Sequence, residues 1–313
     1  MNMVGAFIKM IRSPNLVFIA LTQILFHITV LDTILLPLGT RPVIDGWNFI
    51  FLIVASVLIA AAGYIINDYF DINIDQVNKP KENVVDVVVP RRWAMALHFV
   101  FSGMGLLFSA YISWKTGLWY ILLGNFICVL LLFGYSVSLK RKLLSGNIII
   151  ALLTAWVILV ICIAEIKIAT EVSAAIAEAS NKIIRIGILY AAFAFISSLI
   201  REAIKDIEDM PGDERYGCRT MPIVWGVNVT KVYVAVWLVV ILALLIILQV
   251  YVFRFSWWVA MAYSIAFIIA PFVLIFLHLF KAKVQKDYHR LSNWTKLVML
   301  SGILSMIFFY FYL

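Results

Sequence analysis

Residues 48–75 read NFIFLIVASVLIAAAGYIINDYFDINID, and the change of character at position 67 decides how the chain is read. Up to Ile66 the stretch carries no charge, and a run of about 20 such residues is long enough to cross a hydrocarbon core of about 30 Å. From Asn67 onward it carries Asp68, Asp71 and Asp75, spaced by three and then four. A helix that simply continues would align those carboxylates on one face, and Asn67 joins that face through its four-residue step to Asp71.

The remaining sequence has the same apolar character. Of 313 residues 64% are apolar and 13% charged, and the mean hydropathy is +1.03. That composition excludes a soluble globular protein. Nine apolar segments, near 16–38, 48–66, 94–114, 118–138, 147–166, 183–200, 230–252, 257–279 and 296–313, predict nine membrane spans. They do not alternate apolar and polar residues, so the spans are helices and not the strands of a barrel. The expected fold is an all-α integral membrane protein, a bundle of nine transmembrane helices with a cytoplasmic cap formed by two aspartate-rich loops. Residues 1–313 are expected to form a single domain. The first span, followed by eight others, reads as a helix of the mature protein and not as a signal peptide.

With the N-terminus inside, 19 Lys and Arg residues fall on the cytoplasmic side and 6 on the other. That bias orients the bundle in a cell's inner membrane. The net charge of +8 is spread over short loops beside lipid, so no nucleic-acid partner is expected. Cys128 and Cys162 lie in apolar spans and Cys218 in a cytoplasmic loop, where a lasting disulfide is not expected. The four histidines lack ligand spacing. His27 and Asp32, within or at the outer end of the first span, are polar groups whose role the sequence leaves open.

A second acidic segment, REAIKDIEDMPGD (201–213), lies on the same side as the first. Glu202, Asp206, Asp209 and Asp213 step by four, three and four, again one helical face. Pro211 and Gly212 are expected to end that helix, and Lys205, Arg215 and Arg219 lie within reach. Stacked carboxylates repel, and more so beside a low-dielectric membrane. One such segment could be a solvated helix end. Two on one side point to a shared cation, and oxygen-only donors select a hard ion such as Mg²⁺, which prefers one or two carboxylates plus substrate phosphates. Two carboxylate faces, magnesium and surrounding lysines suit a diphosphate whose hydrocarbon tail lies among apolar helices. Tyr69, Phe70, Phe133, Tyr135, Tyr190 and Phe193 are aromatic faces that could stabilise a carbocation or simply pack. The stretch YSVSLKR (135–141) ends the fourth span as an interfacial anchor that would also bring cations toward the acids.

These stretches resemble the UbiA superfamily of intramembrane prenyltransferases. NDYFDINID is similar to that family's first aspartate motif, KDIEDMPGDERYGCRTMPI to its second, YSVSLKR to its tyrosine-to-lysine element, and Arg12-Ser13-Pro14-Asn15 to its lead-in to the first helix. The resemblance covers nearly the whole chain. It implies transfer of a prenyl group, with geranylgeranyl diphosphate the expected donor, to an acceptor. Asp68, Asp71 and Asp75 would hold one Mg²⁺ and Asp209 and Asp213 the other, and these five are the expected catalytic and metal residues. Asn15, Asn67, Lys79, Tyr135, Lys140, Arg141, Lys205, Asp206 and Arg219 are the expected substrate-binding residues.

The second motif is closest to the digeranylgeranylglyceryl phosphate synthase-like branch, which implies a lipid acceptor such as geranylgeranylglyceryl phosphate. Prenylation of an aromatic acceptor, 4-hydroxybenzoate or dihydroxynaphthoate, is the alternative. After Asp75 this chain departs from the family's arginine-rich stretch, with Lys79 and Lys81 followed by ENVVDVVVPRR, and that departure bears on the acceptor. An ion-coupled transporter is disfavoured, because its ionisable groups would cluster near the bilayer midplane. The expected partners are thus a prenyl diphosphate donor, a lipid or aromatic acceptor and membrane lipids.

Overall fold

The computed structural model describes residues 3–78, 84–166 and 174–313. A short helix, α1 (Met3–Met10), leads into α2 (Ser13–Leu38), α3 (Trp47–Asn78), α4 (Arg91–Thr116) and α5 (Trp119–Val137). Then follow α6 (Ser145–Glu165), α7 (Ala174–Arg215), α8 (Val227–Phe253), α9 (Trp258–Leu279) and α10 (Gln285–Tyr312). Among the described residues, α2 to α10 are nine helices long and apolar enough to cross a membrane, as expected. An isolated bridge between Val85 and Val89 is the only strand-like pairing described.

Helices α3 and α7 are the longest, with 32 and 42 residues. At ~1.5 Å per residue they measure about 48 Å and about 63 Å, well beyond the ~30 Å needed to cross a bilayer. In α3 the surplus lies at the C-terminal end and in α7 at both ends, and in each the C-terminal extension carries the acids. The aspartate-rich segments are therefore continuous helix and not cap loops. Between Asn67 and Asn78 there is no Pro or Gly to interrupt α3, and Ile72 is buried with Ala6 and Met10 of α1. The departing stretch after residue 83 forms a tight turn: Val84, Val85 and Val89 are buried, Asp86 is left-handed (φ 71°), and its carboxylate pairs with Arg91 at 2.9 Å.

The expected stop at Pro211 does not occur; α7 runs through it to Arg215. Proline removes an N–H and crowds the carbonyl one turn back. Side chains from two other helices engage the backbone around it. Gly212 N–H donates to Asn78 Oδ1 at 2.8 Å, Asn78 Nδ2 donates to the Asp209 carbonyl at 2.8 Å, and Gln285 Nε2 donates to the Glu208 carbonyl at 3.1 Å. A Cβ at position 212 would lie 2.6 Å from the Asn78 side chain, so only glycine permits this approach.

Around the bundle, α3 packs on α2, α4 and α5, and α7 packs on α6, α8 and α10. Contacts of α5 with α6 and of α2 with α10 complete a ring, and α3 and α7 also touch each other directly. The ring is crossed at two levels. Beyond the acids, Asn78 joins α3 to α7; deep in the membrane, buried Gln23 of α2 donates to Ser56 Oγ of α3 (3.0 Å) and the Val157 carbonyl of α6 (3.2 Å). At the far end of α2, His27 lies 3.5 Å from Asp32, stacks on Phe49 and bonds the Ile44 carbonyl at 3.1 Å. That pair ties the α2–α3 connection and stands apart from the acids.

Replacing Asn78 by Ala leaves the Gly212 N–H and the Asp209 carbonyl without this partner. Each such loss costs about 1–3 kcal/mol when the group is buried. Asn78→Ala is expected to lower the thermal unfolding midpoint in detergent; an unchanged midpoint would show that the Pro211 crossing is held by other contacts.

Candidate active site

Between the two long helices lies a cavity of about 870 Å³. From α3 it is lined by Asn67, Asp68, Asp71 and Asp75, and from α7 by Glu202, Asp206, Asp209 and Asp213. The three-and-four spacing thus does what it predicts and turns both acid faces toward one space.

Each acid face is met by groups from other segments. The turn Leu139–Arg141 after α5 delivers Lys140, whose Nζ lies 2.6 Å from Asp71 Oδ1 and donates to Asn67 Oδ1 at 3.0 Å. Asn67 Nδ2 donates in turn to Asp71 Oδ2 at 2.9 Å, closing a ring of three side chains. Lys140 and Asp71 are only 10% and 14% exposed. Burial draws the Lys140 amine below its ordinary pKa, although Asp71 beside it acts in the opposite direction. The turn fits because residue 146 is glycine: a Cβ there would sit 2.9 Å from Lys140 Cα and 3.3 Å from the Tyr135 ring.

Asp68 is met by Arg12, which caps α2 in a left-handed conformation (φ 51°, ψ 52°). Its guanidinium donates to Asp68 Oδ1 at 2.9 Å and lies 5.1 Å from the Tyr64 ring centre. On α7, Asp206 accepts from Asn147 at 2.9 Å, and Glu202 takes Arg201 at 2.8 Å and Lys205 at 3.8 Å. Glu208 pairs with His289 of α10 at 2.8 Å.

Among the described residues no three His, Cys, Asp or Glu side chains converge into a self-sufficient metal site. Carboxylates on two facing walls leave open coordination positions, which suits an ion completed by phosphate oxygens and water; magnesium is such an ion.

The sequence matches the UbiA prenyltransferase family over residues 28–310. The chain belongs to that family. Among its curated relatives is the digeranylgeranylglyceryl phosphate synthase of Korarchaeum cryptofilum, 26% identical over 98% of both chains. The synthase of the same name from Thermococcus sibiricus is 33% identical over 71% of this chain and 69% of its own. A solved structure described as digeranylgeranylglyceryl phosphate synthase superposes with a TM-score of 0.64 at 21% identity, covering 98% of this chain and 99% of that one. A UbiA homologue from Archaeoglobus fulgidus bound to GPP and Mg²⁺ superposes with a TM-score of 0.58 at 14% identity, covering 96% and 99%.

In this UbiA-family protein the cavity gathers most of the residues singled out in the sequence. Asn15, Tyr135, Arg141 and Lys205 line it together with the acids, Asn67 and Lys140. Arg219 does not: its side chain is exposed, and it contributes its backbone N–H to the Arg141 carbonyl at 2.7 Å. The left-handed Gly217 turns the chain away after α7. Lys79 lies outside the described residues. Of the six aromatics named from the sequence only Tyr135 lines the cavity; Phe18, Tyr64 and Trp156 are the other aromatic walls. Sequence reading passed over Asn147, Arg201 and Lys296. Asn147 had a signal, an amide at the start of an otherwise apolar span.

Removing one partner from a buried ion pair strands the other, at a cost of about 3–5 kcal/mol. Lys140→Met is expected to destabilise the protein to thermal unfolding, and Lys140→Met with Asp71→Asn to recover much of that loss. Additive losses in the double variant would show that the two charges do not depend on each other.

Proposed function

We propose that this prenyltransferase moves a geranylgeranyl group from its diphosphate to the glycerol hydroxyl of geranylgeranylglyceryl phosphate. The carbon–oxygen bond to diphosphate breaks, a carbon–oxygen bond to the acceptor forms, and the hydroxyl proton and diphosphate leave. The observation that carries the reading is the convergence of two carboxylate faces and Lys140 on one membrane-embedded cavity. A curated relative named for that reaction, matched over 98% of both chains, supports the choice of acceptor.

In this reading Asp68, Asp71 and Asp75 would hold one Mg²⁺, and Asp209 and Asp213 a second. Bound magnesium would neutralise the diphosphate and stabilise the charge gathering on it as it leaves. Lys140, Asn67 and Arg141 hold the diphosphate at the α5–α6 side. Asp206, fixed by Asn147, supports the second acid face. Tyr64 and Tyr135 offer π-faces to the carbon that loses its leaving group, and the apolar lining from Ile59, Ala60, Leu132 and Val157 would keep water scarce beside it. The acid-bearing ends face the cytoplasm, in agreement with the Lys and Arg bias, and residues 1–313 act as one domain in the cell's inner membrane.

Purified protein, Mg²⁺ and labelled geranylgeranyl diphosphate should yield product with geranylgeranylglyceryl phosphate and none with EDTA. Asp68→Ala and Asp209→Ala should each lower the rate by about a hundredfold or more, on the scale of losing a group that stabilises the transition state. Product with 4-hydroxybenzoate or dihydroxynaphthoate instead would move the acceptor to the aromatic class. Transfer without magnesium, or near-normal rates in both variants, would overturn the assignment of the acids.

A further inference from the structure

The cavity holds a second group of cations besides Lys140, and one of them, Lys296, has no ion pair among the described residues. Arg12, Arg201, Lys205 and Lys296 line it on the α2–α10 side, away from the turn that carries Lys140. Arg201 and Lys205 stand one turn apart on α7, and the positive charges of Arg201, Arg12 and Lys205 all act on the amine of Lys296. Asp68 pairs with Arg12 and Glu202 is shared by Arg201 and Lys205, while Asp75 acts on Arg12 and Asp206 on Lys205 from further away. Lys296 has no ion pair among the described residues; its amine lies 5.3 Å from the Phe18 ring centre. Arg201 Nε is buried without a hydrogen-bond partner.

Lys296 is therefore the cation of this wall that no acid pairs among the described residues, and three like charges act on it. Like charges held together beside a membrane are unfavourable without an anion between them. A phosphate monoester, with about −1.5 to −2 charges near neutral pH and several acceptor oxygens, could take both the Lys296 amine and the unpartnered Arg201 Nε. Ser292 and Asn293, within a turn of Lys296 on α10, add neutral donors to the same wall.

We infer that Arg201, Lys205 and Lys296 form a second anion subsite that holds the phosphate of the acceptor lipid, apart from the diphosphate held at Lys140. The inference rests on the acceptor reading above and assigns that acceptor's headgroup to named residues. It places the two anions on different sides of the cavity, so that donor and acceptor are anchored independently with their reacting ends between them.

The test compares geranylgeranylglyceryl phosphate with its dephosphorylated alcohol as acceptors, and records KM for the donor in parallel. In Lys296→Gln the preference for the phosphorylated acceptor, as a ratio of kcat/KM values, should fall roughly tenfold to a hundredfold, the range for losing one charge-assisted hydrogen bond. Lys296→Arg should retain most of the preference. Lys205→Gln supplies the same readout should Lys296→Gln not fold. An unchanged preference in an active enzyme would overturn the subsite alone, as would a rise confined to donor KM, which would hand the cluster to the diphosphate. A wild-type enzyme that does not use geranylgeranylglyceryl phosphate at all would overturn the acceptor reading and the subsite together.

Discussion

Carboxylates on α3 and α7 share one cavity, and their mutual repulsion constrains the elements around them. Two like charges ~4 Å apart repel by about 1 kcal/mol in water and by about 4 kcal/mol at the effective dielectric of a protein surface. Segments distant in sequence supply the offset. Arg12 reaches Asp68 from a left-handed residue before α2, Lys140 reaches Asp71 from a turn after α5, and Asn147 reaches Asp206 from the start of α6. The α1–α2 junction and the α5–α6 turn are shaped by these deliveries. Gly146 is what lets the second of them lie close enough.

The same constraint explains why α7 continues through Pro211. Ending the helix there would leave Asp213 off the acid face. The amide of Asn78, one of α3's last residues, occupies the break instead, so the ends of the two acid helices are fixed to each other by the groups that bridge the proline. Spacing between the carboxylate faces therefore depends on a contact just beyond them.

Both acid faces were legible from sequence because helical periodicity is local: three and four residues decide a face wherever the helix lies. The Lys and Arg bias similarly orders the spans without knowledge of their packing. What escaped was set by distant partners. The stop expected at Pro211 failed because Asn78 and Gln285, the groups that satisfy the break, lie 131, 134 and 77 positions away from the backbone atoms they bond. Arg219 was placed in the site by its nearness to the acids along the chain, yet the turn at Gly217 sends its side chain outward. Arg201 and Lys296 were read as topology signals, since a cation near a membrane surface looks the same whether it meets lipid or a cavity.

The depth of the cavity bears on how a two-ended substrate must lie in it. From Asp68 back to Ser56 its wall follows α3 for twelve residues, about 18 Å at the rise of an α-helix. Below the acids the lining includes Ile59, Ala60, Leu132, Leu153 and Val157, and behind it Gln23 ties Ser56 to the Val157 carbonyl of α6. Trp156 is fixed there as well, its Nε1 donating to Asn125, which donates to Ser109. The charges gathered at one end favour an amphiphile's anionic head there, with its hydrocarbon along Ile59, Ala60, Leu132 and Val157 toward Ser56. Polarity along the cavity sets the direction of the chain, and polarity across it, Lys140 on one side and Lys296 on the other, separates one headgroup from a second. A cavity organised along both axes suits the joining of two lipids better than the prenylation of a small ring, which would need only the first.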